Sequence, residues 1–243
     1  MAGSIPEFRY IGRHRRTKED PRFVTGRGHY VADLALAGMK HVALVASPHA
    51  CARIVSIDLS GARAAAGVVD VITGAELREG TLSLQIGVDA PKVTRYPLAD
   101  GIVRYAGEWV VAVVADTRAL AEDAAERVEI EYEPLPFVID PEMAIRPDAP
   151  LVHPAHGSNV IFRRKFVWGK VDEAFERAEH RLSFRARWAR SATVPIETFG
   201  VVGQWDAGVG ILDIWASIQM PKFPDQLARA LKLPGNEIGR AHV

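Results

Sequence analysis

Six prolines, Pro134, Pro136, Pro141, Pro147, Pro150 and Pro154, fall within 21 residues. Each ring fixes φ and removes a backbone donor, so this stretch excludes helix interior and central strand alike. The chain is thereby divided. A charged arm (1–20) and a folded part (21–135) precede a surface-crossing linker at 136–160, and a second folded part occupies 161–243. A chain of 243 residues can bury a real core, and 48% apolar with 25% charged residues makes folding the expectation throughout.

Upstream of the linker, hydrophobic spacing predicts strands alternating with short helices. Residues 39–47 form a mostly apolar run of strand length that ends at Pro48. Val55, Ile57 and Leu59 alternate with Ser56 and Asp58, as in a half-buried strand. Residues 61–66 make an alanine-rich turn or helix before the apolar strand Val68–Thr73. Trp109–Ala115 is apolar on both faces and so predicts a central strand. Asp116 offers an N-cap for a helix to about Arg127, with Leu120, Ala121, Ala124 and Ala125 on one stripe. Val128, Ile130 and Tyr132 then alternate with Glu129, Glu131 and Glu133, a strand with one wet face. Together these predict an α+β layer.

Downstream, residues 171–179 predict a short helix. Leu182, Phe184, Ala186 and Trp188 alternate with Arg181, Ser183, Arg185 and Arg187 as a strand, and another is expected over 196–205. Gly208-Val209-Gly210 turns the chain into a third, ILDIWASIQ at 211–219. Its Leu212, Ile214, Ala216 and Ile218 share one face, and Asp213, Trp215, Ser217 and Gln219 the other. Pro221 stops it, and a helix to about Lys232 presents Phe223, Leu227, Ala230 and Leu231. Pro234 and Gly235 end that helix, and a further strand starts at Glu237. Gln219 therefore stands where a strand gives way to a helix. Its carboxamide donates and accepts, and a helix start favours negatively charged oxygens. Taken alone, such a glutamine is ordinarily a hydrogen-bonded loop residue.

Self-contained catalytic motifs are missing. No G-x-S-x-G elbow and no H-E-x-x-H helix occur. Gly26-x-Gly28 lacks a strand–loop–helix context and reads as a turn. His153 and His156 share a proline-rich loop without carboxylate or thiolate at ligand spacing, so no zinc site is expected. Arg181, Arg185, Arg187 and Arg190 read as a solvated or partner-facing strand face. Lys plus Arg is 30 and Asp plus Glu is 30, which gives no electrostatic footprint for nucleic acid. The single cysteine, Cys51, rules out an internal disulfide and any iron–sulfur or zinc–thiolate site built by this chain alone; it reads as a small buried residue. The basic N-terminus (Arg13, Arg15, Arg16, Lys18) has no apolar segment behind it, so no signal peptide is expected. The longest apolar run, Trp109–Ala115, falls far short of the roughly 20 residues that span a bilayer. A soluble, cytoplasmic protein without membrane partners is the expectation.

Long collinear stretches carry a resemblance: RFVTGRGHYVADLALAGMKHVALVASPHACARI from Arg22, GVVDVITGAEL, YAGEWVVAVVADTRALAEDAAERVEIEYEPLPFVIDPEMAI, DAPLVHP, VPIETFGVVGQWD, and LDIWASIQMPKFPDQLARALKLPGNEIGRAHV. Over nearly the whole chain they resemble the molybdenum hydroxylase large subunits, the family of xanthine dehydrogenase, aldehyde oxidase and aerobic carbon monoxide dehydrogenase. The resemblance implies an α+β hammerhead domain at 21–135 and the first part of a molybdopterin-binding domain at 161–243. In that family the glutamine of the segment matching WASIQMPK hydrogen-bonds an oxo ligand of molybdenum. That position is Gln219, which is thereby implied as catalytic and cofactor-binding. Cys51 stands where relatives often carry histidine in PHAHARI-like segments, at a position that looks structural.

The resemblance also implies a molybdopterin-type molybdenum cofactor shared with a partner chain, iron–sulfur clusters and FAD on other chains, and a small-molecule substrate. The family's G-G-x-F-G loop, its other pterin contacts and its catalytic glutamate have no counterpart up to Val243. The expectation is a subunit of a split molybdenum oxidoreductase that uses water as oxygen source, supplies one wall of the metal site, and is active only with partner chains. Two alternatives stand beside it: a molybdenum-dependent hydratase or dehydrogenase subunit, and a non-catalytic assembly module.

Overall fold

A strand apolar on both faces needs cover on both, and the arrangement around Trp109–Ala115 supplies it. The computed structural model describes residues 8–84 and 93–242. The first part contains β1 (His41–Ala46), β2 (Ala52–Asp58), β3 (Val68–Thr73), β4 (Ile102–Val103), β5 (Trp109–Ala115) and β6 (Glu129–Pro134). Its helices are α1 (Asp20–Val24), α2 (Ser60–Arg63), α3 (Gly74–Gly80) and α4 (Arg118–Ala125). One sheet has the order β1-β5-β3, with β5 antiparallel to both neighbours. A second has the order β4-β2-β6. One core joins them: Val110, Val111 and Val113 of β5 meet Val71, Val103, Ala52, Ala62 of α2 and Ala124 of α4, all fully buried or nearly so.

Two local expectations need correcting. In β2 the pairing steps from Ile54–Tyr132 to Ser56–Glu131, leaving Val55 as an extra, unpaired residue. Such a bulge switches the side-chain phase. Ala52 and Ile54 face the core before it and Ile57 after it, while Val55, expected inside, is 53% exposed. At α4 the cap is Thr117, whose hydroxyl accepts the Leu120 N–H at 3.3 Å, and Asp116 instead pairs with Lys40. Thr117 has the extended backbone that a capping residue requires, so the helix starts one residue later.

Helix α3 starts with a capping box. The Thr73 hydroxyl accepts the Glu76 N–H at 3.3 Å, and the Glu76 carboxylate accepts from the Thr73 N–H and hydroxyl, each at 2.7 Å. Those two bonds from Thr73 hold the Glu76 carboxyl below its ordinary value. A lowered carboxylate contributes stability that is present above its unfolded-state pKa and lost as pH falls through the folded-state value. Thr73→Ala is expected to cost about 1 kcal/mol in urea titrations at neutral pH, and the difference from the parent chain shrinks as the solution is acidified through the carboxylate range.

In the proline-rich segment one side chain does much of the ordering. Asn159 accepts the Val152 N–H at 2.9 Å and donates to the carbonyls of Ala144 and Pro150 at 3.0 and 2.9 Å. The short α5 (Pro141–Ala144) has its proline at the first helical position and Asp140 as cap. Beyond it lies α6 (Val171–Arg177). The strand expected over 181–188 does not form. Leu182, Phe184 and Trp188 are 92%, 88% and 91% exposed, and no strand lies beside them among the described residues to complete a ladder. Arg185 and Arg187 reach back to Glu142 and Asp140 of the α5 region, at 2.6 and 3.9 Å.

The last sheet is β7 (Val201–Asp206), β8 (Ile211–Ala216) and β9 (Ile238–His242), with α7 (Phe223–Ala230) between the last two. β7 and β8 are antiparallel, and β8 and β9 parallel, so β8, α7 and β9 form a crossover unit. Two strands are shorter than expected: β7 starts at Val201 rather than 196, and β8 ends at Ala216 rather than 219. The far end of α7 closes in a Schellman arrangement, with Leu233 N–H to the Ala228 carbonyl at 2.8 Å and Lys232 at φ +60°. It also clasps the end of α3: Leu82 N–H donates to the Ala230 carbonyl at 2.7 Å and Lys232 Nζ to the Glu79 carbonyl at 3.2 Å.

Candidate functional site

The β7–β8 ladder ends at the pair Val201–Ala216, and a side chain takes over from it. Ser217 N–H donates to the Gly200 carbonyl at 3.1 Å. Its Oγ accepts the Gly200 N–H at 2.8 Å and donates to the Thr198 carbonyl at 3.0 Å. The opposing segment is itself held from the first part of the chain. Glu197 Oε1 accepts the N–H of buried Val31 at 2.9 Å. Gly200 sits so close to Val31 that a Cβ added there would lie 3.2 Å from Val31 Cγ1. Val194, just before Pro195, has φ +43°, a costly conformation for a β-branched residue and one that the following proline disfavours further.

Gln219 lies two residues beyond Ser217. It is exposed, and its side chain has no partner among the described residues. It sits past the strand rather than on its face. The next fixed point is a turn in which Phe223 N–H donates to the Met220 carbonyl at 3.1 Å. Helix α7 then begins at a Lys222 cap that makes no side-chain bond to the first-turn N–H groups. Phe223 N–H is used in that turn and Pro224 has none, so in the first turn only the Asp225 N–H joins the Gln219 carboxamide as a donor open to an anionic oxygen.

The remaining candidates lie elsewhere. Arg185 and Arg187 are engaged with acids on the surface, and Arg181 donates to the Glu176 carbonyl at 3.3 Å. His153 caps a 3-10 turn, Pro154–His156; burial, then Arg104, Arg95 and His156, hold its ring below the ordinary histidine value and so neutral at pH 7. Gly26, at φ +69°, closes α1 as a turn glycine. Cys51 is half-buried rather than fully inside. Residue-level reading placed Ser217 beside Gln219 but gave it no part, although its position on the same alternating face was visible. Nothing in the sequence marks Glu197, whose partner is 166 positions away.

Comparison with known proteins adds the family. Residues 25–136 match the model for the aldehyde oxidase and xanthine dehydrogenase a/b hammerhead domain, and residues 152–241 that for the molybdopterin cofactor-binding domain. The chain is 38% identical over 216 residues to the nicotine 6-hydroxylase large subunit of Paenarthrobacter nicotinovorans, covering 88% of this chain and 26% of that one. It is 37% identical over 224 residues to the carbon monoxide dehydrogenase large chain of Afipia carboxidovorans, covering 87% and 27%. Among solved structures, quinoline 2-oxidoreductase from Pseudomonas putida 86 superposes with a TM-score of 0.80 at 36% identity, over 91% of this chain and 28% of that one. The Cu,Mo carbon monoxide dehydrogenase gives 0.78 at 35%, over 93% and 30%. The chain therefore spans between a quarter and a third of the length of these relatives. With a hammerhead domain followed by the first part of a molybdopterin-binding domain, the chain belongs to the molybdenum hydroxylase family of xanthine dehydrogenase, aldehyde oxidase and carbon monoxide dehydrogenase, and matches a portion of its large subunit.

Proposed function

We propose that this chain forms one wall of a molybdenum-cofactor site in an oxidoreductase that uses water as oxygen source and works only in company with partner chains. The observation that carries the reading is Gln219, an exposed carboxamide whose side chain has no partner among the described residues, held between two anchored points just before helix α7. Those donors fit an oxygen-bearing, anionic metal cofactor. When bound, the cofactor supplies two-electron oxidation of a small-molecule substrate, with electrons leaving toward iron–sulfur clusters and FAD on other chains. The chain's own residues bind and orient. The Gln219 NH2 group donates toward the cofactor, and its carbonyl stays available to water or substrate. The Asp225 N–H at the start of α7 is one further donor, Phe223 N–H being used and Pro224 having none. Ser217 and Glu197 keep the approach to Gln219 in place.

The partners in this reading are a chain that completes the molybdenum subunit and subunits carrying the iron–sulfur clusters and the flavin. The setting is the cytoplasm, with neither nucleic acid nor membrane as partner. No helix among the described residues is long and apolar enough to cross a membrane, and charge is balanced. The test is purification with native partners followed by metal analysis. Stoichiometric molybdenum that survives gel filtration is the expected result. A complete complex free of molybdenum overturns the reading and leaves an assembly module in its place.

A further inference from the structure

We propose that Ser217 is the positioning residue for Gln219, an inference that rests on the cofactor-wall reading above. Backbone pairing between β7 and β8 stops at Ala216, three residues short of Gln219. Past that point the main chain alone supplies one bond, Ser217 N–H to the Gly200 carbonyl. The Ser217 hydroxyl adds to it by using both of its hydrogen-bonding roles on the facing segment, accepting from Gly200 and donating to Thr198. With the Ser217 N–H on the Gly200 carbonyl, three bonds pin one residue to a three-residue stretch. An alanine here keeps only the backbone bond.

The opposing stretch is a fit anchor because it does not depend on β8 alone. Glu197 is tied to the backbone of Val31, and Gly200 packs against the Val31 side chain. Val31 lies within the hammerhead match and is buried. A line of fixed contacts thus runs from the first domain through 197–200 to Ser217. Past Ser217, only Ile218 and Gln219 separate it from the turn at Met220. Gln219 is suspended between those two points, and its side chain makes no hydrogen bond among the described residues to orient it. Its direction is set by how firmly Ser217 holds. A donor that must meet a reacting group is sensitive to this, because a displacement of about 1 Å can lower a rate by up to about 10²-fold.

The experiment uses the complex purified with its native partners. Ser217→Ala is expected to lower kcat by roughly 10- to 100-fold with KM changed by less than about twofold. Molybdenum content stays near the parent value, and Tm falls by only a few degrees, as the loss of two hydrogen bonds at one residue implies. The molybdenum(V) electron paramagnetic resonance signal changes shape, and the Gly200 amide exchanges hydrogen faster. Should the alanine variant fail to assemble, Ser217→Cys takes its place, since a thiol keeps the shape but bonds more weakly; the same readings are expected from it. Parent-like kcat and an unchanged signal in a molybdenum-replete Ser217 variant, alongside an impaired Gln219→Ala, overturn the proposal and leave the cofactor wall standing. Loss of molybdenum from an assembled variant also overturns it, because that marks a structural role. Parent-like turnover in Gln219→Ala overturns both.

Discussion

If Gln219 forms the proposed cofactor wall, Gln219→Ala in the purified complex is expected to lower kcat by roughly 10²- to 10³-fold, the usual consequence of removing one preorganised donor from a water-excluded site. The substitution deletes the carboxamide and nothing that the fold uses, because the side chain is exposed and bonds to no described neighbour. Stability is therefore expected to stay within about 0.5 kcal/mol of the parent, and molybdenum content is retained. Gln219→Glu separates donation from bulk. It keeps the length, replaces the donating NH2 with a carboxylate oxygen, and sets a negative charge against an anionic partner, so it is expected to be at least as damaging as alanine. Steady-state kinetics on metal-replete enzyme decides the matter, and glutamate activity equal to the parent's excludes hydrogen-bond donation as the role of this residue.

Gly74→Ala is the substitution with the largest expected effect on folding. A Cβ at this first residue of α3 would lie 2.0 Å from the Ala99 carbonyl oxygen and 2.6 Å from its carbon. That obstacle is backbone and cannot rotate away. Nor can it retreat, because Ala99 N–H donates to the Trp109 carbonyl at 2.7 Å and Asp100 pairs with Arg78 at 2.9 Å. The expected cost is about 3 kcal/mol, the upper end of overpacking, which corresponds to a Tm lower by roughly 6–12 °C for a chain of this size. Gly80, at the other end of the same helix, is the control. An added Cβ there meets nothing within 4 Å, and its φ is not positive. Gly80→Ala is therefore expected to stabilise by about 0.5 kcal/mol. Calorimetry that ranks the two alike would mean that the α3 start is not packed against Ala99.

Whatever depends on one segment's own chemistry was legible in the residues. WVVAVVA is apolar on both faces and became the central strand β5; the Pro221 break and the apolar stripe after it located α7. The T-G-A-E of the α3 start spells a capping box and was open to the same reasoning. What could not be read depends on partners. The Val55 bulge exists only because β2 and β6 pair in a stepped register. The alternation at 181–188 states which side chains would share a face, but not whether a neighbouring strand exists to bond with it. Gln219, the proposed site residue, is singled out in the sequence by a strand–helix junction together with the resemblance. Its support through Ser217 to Glu197 and Val31 joins positions far apart, which no local pattern encodes.

The order of the first sheet has a consequence for synthesis. β1 and β3 do not pair with each other; both pair with β5, which follows them in the chain. At about 5–20 residues per second on the ribosome, β1 emerges seconds before the strand it needs. During that interval two apolar ribbons have unsatisfied backbone groups, which makes the nascent chain a natural client for a holding chaperone until WVVAVVA clears the exit tunnel.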